Sequence, residues 1–374
     1  MKQLFTFLLI ICLGITIYAQ DKIFVHTATA ANISGHITYM DHPDLNNNPS
    51  ANIVYKHVWN PNGEITGVYN DNIDGLWYNG IAGRWTIYNE DISPMVEGAQ
   101  FFVYIGSNND DFITHIASVA NQHPISASAS VITDPDFTVF EGPYAVMSNY
   151  FNPNGVYNPH NYAFFYDDIF TNTRNIYTEG GENIPTDAAF KILKNGTGII
   201  ARFTAQSTAA NINNNYFLID NPNLNNNPDA AFVFQHYYGV NGPSSEQAID
   251  AVLSAWYAPV VGRWGIYRED FLSAMPEGVA VDIIVATREV LGVDDNNITS
   301  VSLFPNPAKE TVTVTTQNRI DTVSIFNMLG QEVLKTNDGD SNTIQINIAS
   351  LAPGNYIAKV QTGNAVQNIK LIKN

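Results

Sequence analysis

Two acidic pairs, Glu90-Asp91 and Glu269-Asp270, have the residue types of an acid–base site, and Glu179-Gly180 stands between them in the chain. Two carboxylates at a suitable separation hydrolyse glycosidic bonds, one as the acid and one as the base or nucleophile. Adjacent residues on a strand point to opposite faces, however, so the members of one pair are not expected to cooperate. Repetition along the chain also argues against a catalytic centre. The alternative is a charged strand end beside a turn.

An asparagine-rich segment is the second candidate, because oxygen-rich loops ligate calcium. Residues 41–49 read Asp-His-Pro-Asp-Leu-Asn-Asn-Asn-Pro, and residues 220–228 read Asp-Asn-Pro-Asn-Leu-Asn-Asn-Asn-Pro. Asp41, Asp44 and Asp220 would supply the carboxylates. The spacing fits no calcium loop with alternating ligands and a closing Glu. Asn, Asp and Pro also form tight turns without metal, so calcium is possible and no other cofactor is expected.

Aromatic pairs are the third candidate, since aromatic faces stack on sugar rings and weak repeated sites give avidity. The pairs are Trp77-Tyr78, Phe165-Tyr166 and Trp256-Tyr257, followed by Trp85 and Trp264. Trp77, Tyr78, Trp85, Trp256, Tyr257 and Trp264 are therefore the candidate ligand-binding residues. The competing interpretation places them in the core of a β domain. Alternation along a strand would turn one member of each pair inward and the other outward.

The remaining nucleophiles and ligands match no catalytic pattern. His57 and His236 correspond to each other, with Asn149 at the same place between them. No His pair has zinc-protease spacing, and no Gly-x-Ser-x-Gly elbow is present. The single cysteine, Cys12, excludes thiol catalysis and zinc–cysteine sites. Polar positions on half-buried strands are the preferred interpretation of the histidines.

The candidates recur because the chain contains repeats. Gly83-Arg84-Trp85 returns as Gly262-Arg263-Trp264 at an offset of 179 residues, and Thr29–Ile33 returns as Thr208–Ile212 at the same offset. Trp59-Asn-Pro-Asn-Gly63 returns as Phe151-Asn-Pro-Asn-Gly155 at an offset of 92. Three repeats are therefore predicted at 22–106, 111–194 and 201–287. The middle repeat is diverged, and Asn175 is expected where the others have Trp.

Length and composition agree with several globular domains. The chain has 374 residues, of which 45% are hydrophobic, and a formal net charge of −18. The negative charge lies mainly before Ser300, so nucleic acid is a poor candidate partner. An acidic exterior suits solubility and cation binding instead.

The first residues predict export. Residues 1–20 combine Lys2, an apolar stretch and Tyr18-Ala19-Gln20, as in a secretory signal peptide. No later stretch approaches the roughly 20 apolar residues of a membrane span. After processing, the protein would hold no cysteine, so disulfides cannot join the repeats.

Strand signals dominate each repeat. Residues 52–59, 85–88, 100–105 and 231–238 are β-branched and aromatic, and turns rich in Asn, Pro and Gly follow them. Only Glu246 to Tyr257 suggests a helical turn. The predicted class is all-β, with three tandem β-sandwich-like repeats. After a linker at 288–300, residues 301–374 predict a small C-terminal β-sandwich with turns every 8–12 residues.

The C-terminal segment carries specific motifs. They are Phe304-Pro-Asn-Pro307, Asn327-Met-Leu-Gly-Gln-Glu-Val333, Leu351-Ala-Pro-Gly-Asn-Tyr356 and the basic end Lys370–Lys373. This segment resembles the type A C-terminal sorting domain of the type IX (Por) secretion system of Bacteroidota. The resemblance implies a secreted or outer-surface location and an interaction with the type IX machinery. It describes transport, not activity.

The repeats resemble an uncharacterised secreted bacterial repeat domain, marked by Thr-Ala-x-Asn-Ile, Asn-Pro-x-Gly, Trp-Tyr and Arg-Trp-x-Ile-Tyr. That resemblance implies no activity. The leading hypothesis is a non-catalytic surface or secreted protein that binds a glycan or an envelope partner multivalently. The alternatives are a secreted polysaccharide hydrolase using Glu90 and Glu269, and a purely structural surface protein.

Overall fold

The computed structural model describes residues 20–138, 143–238, 247–271, 273–289, 302–316, 319–327, 331–337, 341–362 and 365–374. The predicted signal peptide lies outside them except for Gln20, and so does most of the predicted linker. The chain divides into two units, residues 1–290 and 291–374. Among the described residues, helix is confined to three short 3-10 segments at Asn109–Asp111, Val119–Asn121 and Pro135–Phe137. The all-β prediction is confirmed.

The first unit contains three sets of seven strands in the same order. The first repeat has β1 (Lys22–Thr27), β2 (Ile33–Ser34), β3 (Ile37–Tyr39), β4 (Asn52–His57), β5 (Asp74–Asn79), β6 (Arg84–Asn89) and β7 (Gln100–Gly106). The second has β8 (Phe112–Ile116), β9 (Gln122–His123), β10 (Ser126–Val131), β11 (Ala145–Tyr150), β12 (Tyr162–Asp167), β13 (Thr173–Thr178) and β14 (Ala189–Lys194). The third has β15 (Ala201–Gln206), β16 (Ile212–Asn213), β17 (Tyr216–Leu218), β18 (Ala231–Tyr238), β19 (Leu253–Ala258), β20 (Arg263–Arg268) and β21 (Ala280–Glu289).

Each repeat is a sandwich of two antiparallel sheets. The first, fourth and seventh strands form a three-stranded sheet, in the order β4-β7-β1 for the first repeat. The other four strands form the opposite sheet, in the order β2-β3-β6-β5. The suggested helical turn near Glu246 is wrong where the chain is described, because residues 253–258 form β19. Residues 239–246 lie outside the described chain.

The three repeats join through equivalent parallel strand contacts. Tyr150 of β11 pairs with Leu76 of β5, which links the second repeat to the first. Tyr237 of β18 pairs with Phe164 of β12, which links the third to the second. The third contact, Val58 with Ala255 of β19, links the first repeat to the third. A heterologous contact repeated in cyclic order closes a ring, so the repeats surround a pseudo-threefold axis.

The ring explains why β7 is apolar on both faces, because an isolated sandwich needs apolar residues only on the face of each sheet that points to its core. In β7, Phe101 and Val103 enter the core of the first repeat, whereas Phe102 and Tyr104 enter a core shared with the third repeat. A strand covered on both faces is continuously apolar and does not alternate with polar residues. The central strands of the three-stranded sheets, β7, β14 and β21, are therefore buried on both faces, and the sheet surface that faces the axis is a second core.

The two ends of the ring lie side by side. Lys22 at the start of β1 pairs with Thr287 near the end of β21, and the two strands run parallel. This pairing extends the ring closure made by Val58 and Ala255. Strands from the beginning and the end of the repeat region thus belong to one sheet.

The second unit is a small two-sheet domain. Its strands are β22 (Ser302–Phe304), β23 (Thr311–Thr315), β24 (Thr322–Asn327), β25 (Glu332–Asn337), β26 (Thr343–Asn347), β27 (Gly354–Thr362) and β28 (Ala365–Lys373). The sheet orders are β22-β23-β26 and β25-β24-β27-β28. Val312, Val314, Ile325 and Leu371 are among the residues of its core.

Candidate functional site

The repeated glutamates lie at the contacts between repeats. Glu179 binds His236 of the third repeat, and Glu269 binds His57 of the first. Glu90 occupies the same place against the second repeat, where it accepts a hydrogen bond from the Asn158 backbone amide at 2.7 Å. Each glutamate follows the sixth strand of its repeat, so the strand end reaches the neighbouring repeat. These carboxylates connect repeats.

Hydrogen bonds occupy both oxygens of Glu90 and of Glu269. In Glu90, Oε1 accepts from the Tyr88 hydroxyl at 2.9 Å, and burial raises the pKa of Glu90 to about 7. In Glu269, Oε1 accepts from the Tyr267 hydroxyl at 2.7 Å, and Oε2 faces the Asn70 amide at 3.3 Å. Burial favours neutral Glu269, but the charge and hydrogen bond of His57, together with the hydroxyls of Ser254 and Tyr267, outweigh it and lower the pKa of Glu269. Neither carboxylate offers a free oxygen to a substrate.

Trp85 and Trp264 are fully buried and serve the sandwich cores. Their indole nitrogens donate to the backbone oxygens of Asn48 and Asn227, at 2.8 and 2.9 Å. The asparagine-rich loops therefore cap the buried tryptophans, and Asn47 in the first loop has a left-handed φ of 56°. A ring with no exposed face cannot stack on a ligand, so the prediction that Trp85 and Trp264 bind a ligand is wrong.

The middle repeat replaces this tryptophan with Arg174, not with Asn175. Tyr78 pairs with Trp85 in the first repeat, and Tyr166 pairs with Arg174 in the second. The expectation placed at Asn175 is thus wrong by one residue. Arg174 is buried, its guanidinium lies 4.3 Å from the Tyr237 ring centroid, and it donates to the Pro143 oxygen at 2.6 Å.

The position held by Trp85, Arg174 and Trp264 contacts a different type of residue in each contact between repeats. Trp264 meets the Phe102 ring at 5.8 Å. Trp85 meets the Lys191 ammonium, 5.6 Å from the ring. Arg174 meets Asp282, at 3.5 Å between charged atoms. Phe102, Lys191 and Asp282 are equivalent by strand register. The three contacts thus use an aromatic pair, a cation–π pair and an ion pair.

The predicted calcium carboxylates each have a cationic partner. Asp41 binds Arg84, Asp220 lies 3.3 Å from Arg263, and Asp44 lies 2.6 Å from Lys22. Asp41 and Asp44 share one loop, whereas Asp220 lies in the third repeat. Within the described part of the chain, no group of three acidic, His or Cys side chains could hold a metal ion.

An aromatic cleft lies between the third and first repeats. Its lining residues are Trp59, Tyr69, Asn215, Tyr216, Trp256, Tyr267 and Phe271. The cleft has a volume of about 150 Å³. Tyr69 is 47% exposed and Phe271 is 48% exposed, with ring centroids 4.4 Å apart. The cleft is therefore open to solvent at an aromatic rim.

Two polar atoms in the cleft walls lack partners. The indole nitrogens of Trp59 and Trp256 are buried, and neither has a hydrogen-bond partner among the described residues. A buried N–H normally finds an acceptor, because leaving it unpaired costs about 1–3 kcal/mol. The combination of apolar rings and unused donors is typical of a small-molecule site.

Two glycines make room for these tryptophans. A Cβ at Gly265 would lie 2.7 Å from Nε1 of Trp256, and a Cβ at Gly67 would lie 2.0 Å from the backbone oxygen of Trp59. Thr86 holds the position of Gly265 in the first repeat. The Trp256 ring therefore occupies space that, in the first repeat, is filled by the Thr86 side chain next to the equivalent Trp77.

The structure separates the predicted aromatic pairs. Tyr257 is buried, and Tyr78 packs against the first core. Trp77 and Trp256 are half-buried on the opposite face, and Trp77 lies 6.3 Å from Phe151 in the contact between the first and second repeats. Of the six predicted residues, only Trp256 lines the aromatic cleft.

Four aromatic residues of the cleft are absent from the predicted set: Trp59, Tyr69, Tyr216 and Phe271. One signal was present, because Trp59, Phe151 and Tyr238 are equivalent by offset. Each belongs to an aromatic cluster between repeats, as Trp59 does with Tyr69 at 5.7 Å. A repeated aromatic just after a strand therefore marks the contact between repeats.

Comparison with solved structures yields only remote likenesses. PorZ, described as a surface component of the type IX secretion system of Porphyromonas gingivalis, is 13% identical, with a TM-score of 0.18 over 34% of this chain and 23% of that chain. A biofilm-associated protein BSP domain is 10% identical, with a TM-score of 0.17 over 95% and 82%. Four immunoglobulin domains of Dscam1 are 11% identical, with a TM-score of 0.16 over 87% and 92%. Scores this low carry no argument about this chain.

Family comparison is more informative, although no curated protein matches. A domain of unknown function, DUF7452, matches residues 14–105, 75–171 and 163–285. A secretion system C-terminal sorting domain matches residues 302–374, and it marks export to the cell surface or secretion. No helix in the described ranges has the length and apolarity of a membrane span. The chain belongs to the DUF7452 family, with three tandem repeats ahead of a type IX sorting domain.

Proposed function

We propose that this exported protein is a non-catalytic binding protein whose aromatic cleft takes a sugar ring of an extracellular or envelope glycan. The observation that carries the proposal is a solvent-open aromatic cavity lined by Trp59 and Trp256, whose buried indole N–H groups have no hydrogen-bond partner among the described residues. A sugar ring offers apolar C–H faces to aromatic rings and hydroxyl oxygens to N–H donors.

The surroundings of the cleft also favour binding over catalysis. The carboxylate of Glu269 contacts the cleft lining, because the Tyr267 hydroxyl donates to its Oε1. That oxygen also accepts a hydrogen bond from the Ser254 hydroxyl at 2.6 Å, and Glu269 binds His57. An engaged carboxylate is a poor acid or base, since catalysis needs a group within reach of the substrate proton.

Tryptophan fluorescence on an oligosaccharide panel tests this function. We expect saturable quenching by at least one glycan in the full chain, with and without calcium. Trp256→Phe removes the N–H and keeps an aromatic ring, so it should weaken binding about tenfold or more, as expected for one buried hydrogen bond. Tyr69→Ala should weaken it as well, because it removes half of the rim.

Matched variants come from the equivalent contact between the first and second repeats. Trp77→Phe corresponds to Trp256→Phe, and Tyr157→Ala corresponds to Tyr69→Ala. Both should leave the affinity unchanged, and the stoichiometry should be one glycan per chain. Three glycans per chain, with Trp77→Phe as harmful as Trp256→Phe, would support a repeated multivalent platform instead. Absence of binding across the panel would refute the proposal.

A further inference from the structure

A polar pocket lies where the three repeats meet at the pseudo-threefold axis. Each repeat contributes its fourth strand and the segment before its fifth strand to the walls. This axial pocket is lined by Lys56, His57 and Asp74 of the first repeat, Asn149 of the second, and Gln235 and His236 of the third, among others. Its volume is about 120 Å³. That is room for about four water molecules at ~30 Å³ each.

One cation breaks the symmetry of the pocket. Lys56, Ser148 and Gln235 are equivalent by offset, and only Lys56 is charged. Its ammonium donates to Gln235 Oε1 at 3.0 Å and lies 5.8 Å from the Phe234 ring. Among the described residues, no carboxylate lies within ion-pair distance of it. Burial lowers the pKa of Lys56 to about 8, so the charge persists at neutral pH with two N–H donors to spare.

Two further groups in the pocket have unused atoms. His57 is buried and its Nδ1 is held by Ser254 at 2.8 Å, but its Nε2 has no partner. Asp74 accepts from the Asn70 side chain at 3.1 Å through Oδ2, and its buried Oδ1 has no partner. Burial, reinforced by nearby Glu90 and Glu269, raises the pKa of Asp74 well above its usual range. A protonated carboxyl is a hydrogen-bond donor.

We propose that the axial pocket binds a small monocarboxylate, whose oxygens accept from the Lys56 ammonium, from the Nε2–H of an imidazolium His57 paired with Glu269, and from an O–H at the unpartnered Oδ1 of Asp74. A charged hydrogen bond from an ammonium to a carboxylate is among the stronger polar contacts in proteins. A metal or organic cation would face Lys56 and is disfavoured. A dianion such as phosphate would face Glu179, which also lines the pocket, and Lys56 is the lining cation that has no carboxylate partner among the described residues, so one negative charge fits best.

The pocket is accessible and independent of the aromatic cleft. Lys56, Asn72 and His160 line it and retain exposed surface. It shares no lining residue with the cleft between the third and first repeats. Failure of glycan binding at the cleft therefore leaves this proposal intact, and the reverse also holds.

Methionine-methyl NMR of the full chain tests the proposal, because Met147 lines the axial pocket. With methyl-¹³C methionine, titration with sodium acetate should shift the Met147 signal saturably. Met40 and Met95, in the core of the first repeat, should not move and report that the fold is intact. Sodium chloride at equal ionic strength should leave Met147 unmoved, and phosphate should bind more weakly than acetate.

Lys56→Gln installs the residue that the third repeat has at this place. It should weaken acetate binding about tenfold or more, with the Met40 signal unchanged. Lys191→Gln removes a lysine of the second repeat that lies outside the pocket, and it should bind acetate as the wild type does. An unsaturable Met147 shift, an equal response to chloride, tighter phosphate binding, or full affinity in Lys56→Gln would each overturn the proposal.

Discussion

Removal of the Arg174 charge should destabilise the ring in a pH-dependent way. Arg174→Met leaves the Asp282 carboxylate buried, with the Thr204 hydroxyl at 2.9 Å as its remaining side-chain donor. Breaking one partner of a buried ion pair costs about 3–5 kcal/mol. Loss of the cation–π contact with Tyr237, of about 1–2 kcal/mol, contributes to that figure. We expect the full cost at pH 8.

Protonation of Asp282 should reduce the cost at low pH. Burial already raises the pKa of Asp282, and Arg174 partly offsets that rise. Without Arg174 the pKa rises further, so the folded state keeps a proton that the unfolded state releases. The stability of the variant therefore falls as the pH increases, by up to ~1.4 kcal/mol per unit in the window between the two pKa values. At pH 5 the free energy of unfolding of the variant should be clearly closer to that of the wild type.

A second substitution isolates the charge. Arg174→Met with Asp282→Asn retains a polar side chain for Thr204 and removes the unpaired charge, so it should recover at least about 2 kcal/mol at pH 8. Urea unfolding at pH 5 and pH 8, followed by tryptophan fluorescence, measures these differences. Arg268→Met, which breaks a more exposed pair with Asp270, is the control and should cost less than about 1 kcal/mol. A loss independent of pH, or no recovery in the double variant, would refute the reasoning.

Three further substitutions address the cores and the repeat contacts. Burial raises the pKa of Glu90 from 4.5 to about 7, so wild-type stability falls as the pH rises through that window. Glu90→Gln should remove this pH dependence. In urea unfolding, the free energy of unfolding of the variant should exceed that of the wild type by up to ~3 kcal/mol at pH 8 and should not exceed it at pH 4. Trp264→Ala should cost about 3–5 kcal/mol in the same assay because the ring is fully buried; a cost no larger than that of half-buried Trp77→Ala would contradict its core role. Gly67→Ala should lower the melting temperature and the glycan affinity together, because its Cβ would lie 2.0 Å from the Trp59 oxygen; an unchanged affinity would separate Gly67 from the cleft.

Much of the fold was predictable from local pattern. The strands are encoded by runs of neighbouring β-branched and aromatic residues, and the structure contains them. The repeats and the sorting domain are encoded by short motifs, and the family matches confirm both. Residues 41–49 contain the tight turn that Asn, Asp and Pro favour, and Asn47 adopts the left-handed conformation that asparagine tolerates. The alignment of the middle repeat is easily shifted by one residue, because Arg174 resembles Arg84. Ile176-Tyr177-Thr178-Glu179 matches Ile87-Tyr88-Asn89-Glu90, and this match and the strand pairing both place Arg174 at the position of Trp85.

Most of the candidate site could not be predicted from the sequence, because residues of two different repeats form it. Glu269 follows a strand and is next to a turn, which indicates exposure, yet the first repeat covers it and His57 binds it. The aromatic cleft combines Trp59 of the first repeat with Trp256 of the third, almost 200 residues apart in the chain. Such contacts depend on ring closure, and their signal in the sequence is the aromatic residue that recurs at or just after the end of each fourth strand.

Closure of the ring has a consequence for copy number. In a solenoid, a repeat can be inserted at any point because the ends remain open. Here each repeat already uses both of its contact surfaces, and the contact of Val58 with Ala255 joins the last repeat to the first. A fourth repeat would find no free surface without opening the ring and removing the axial pocket. We therefore expect homologues that share this architecture to vary in loops and in contact chemistry, while the number of repeats per ring stays at three.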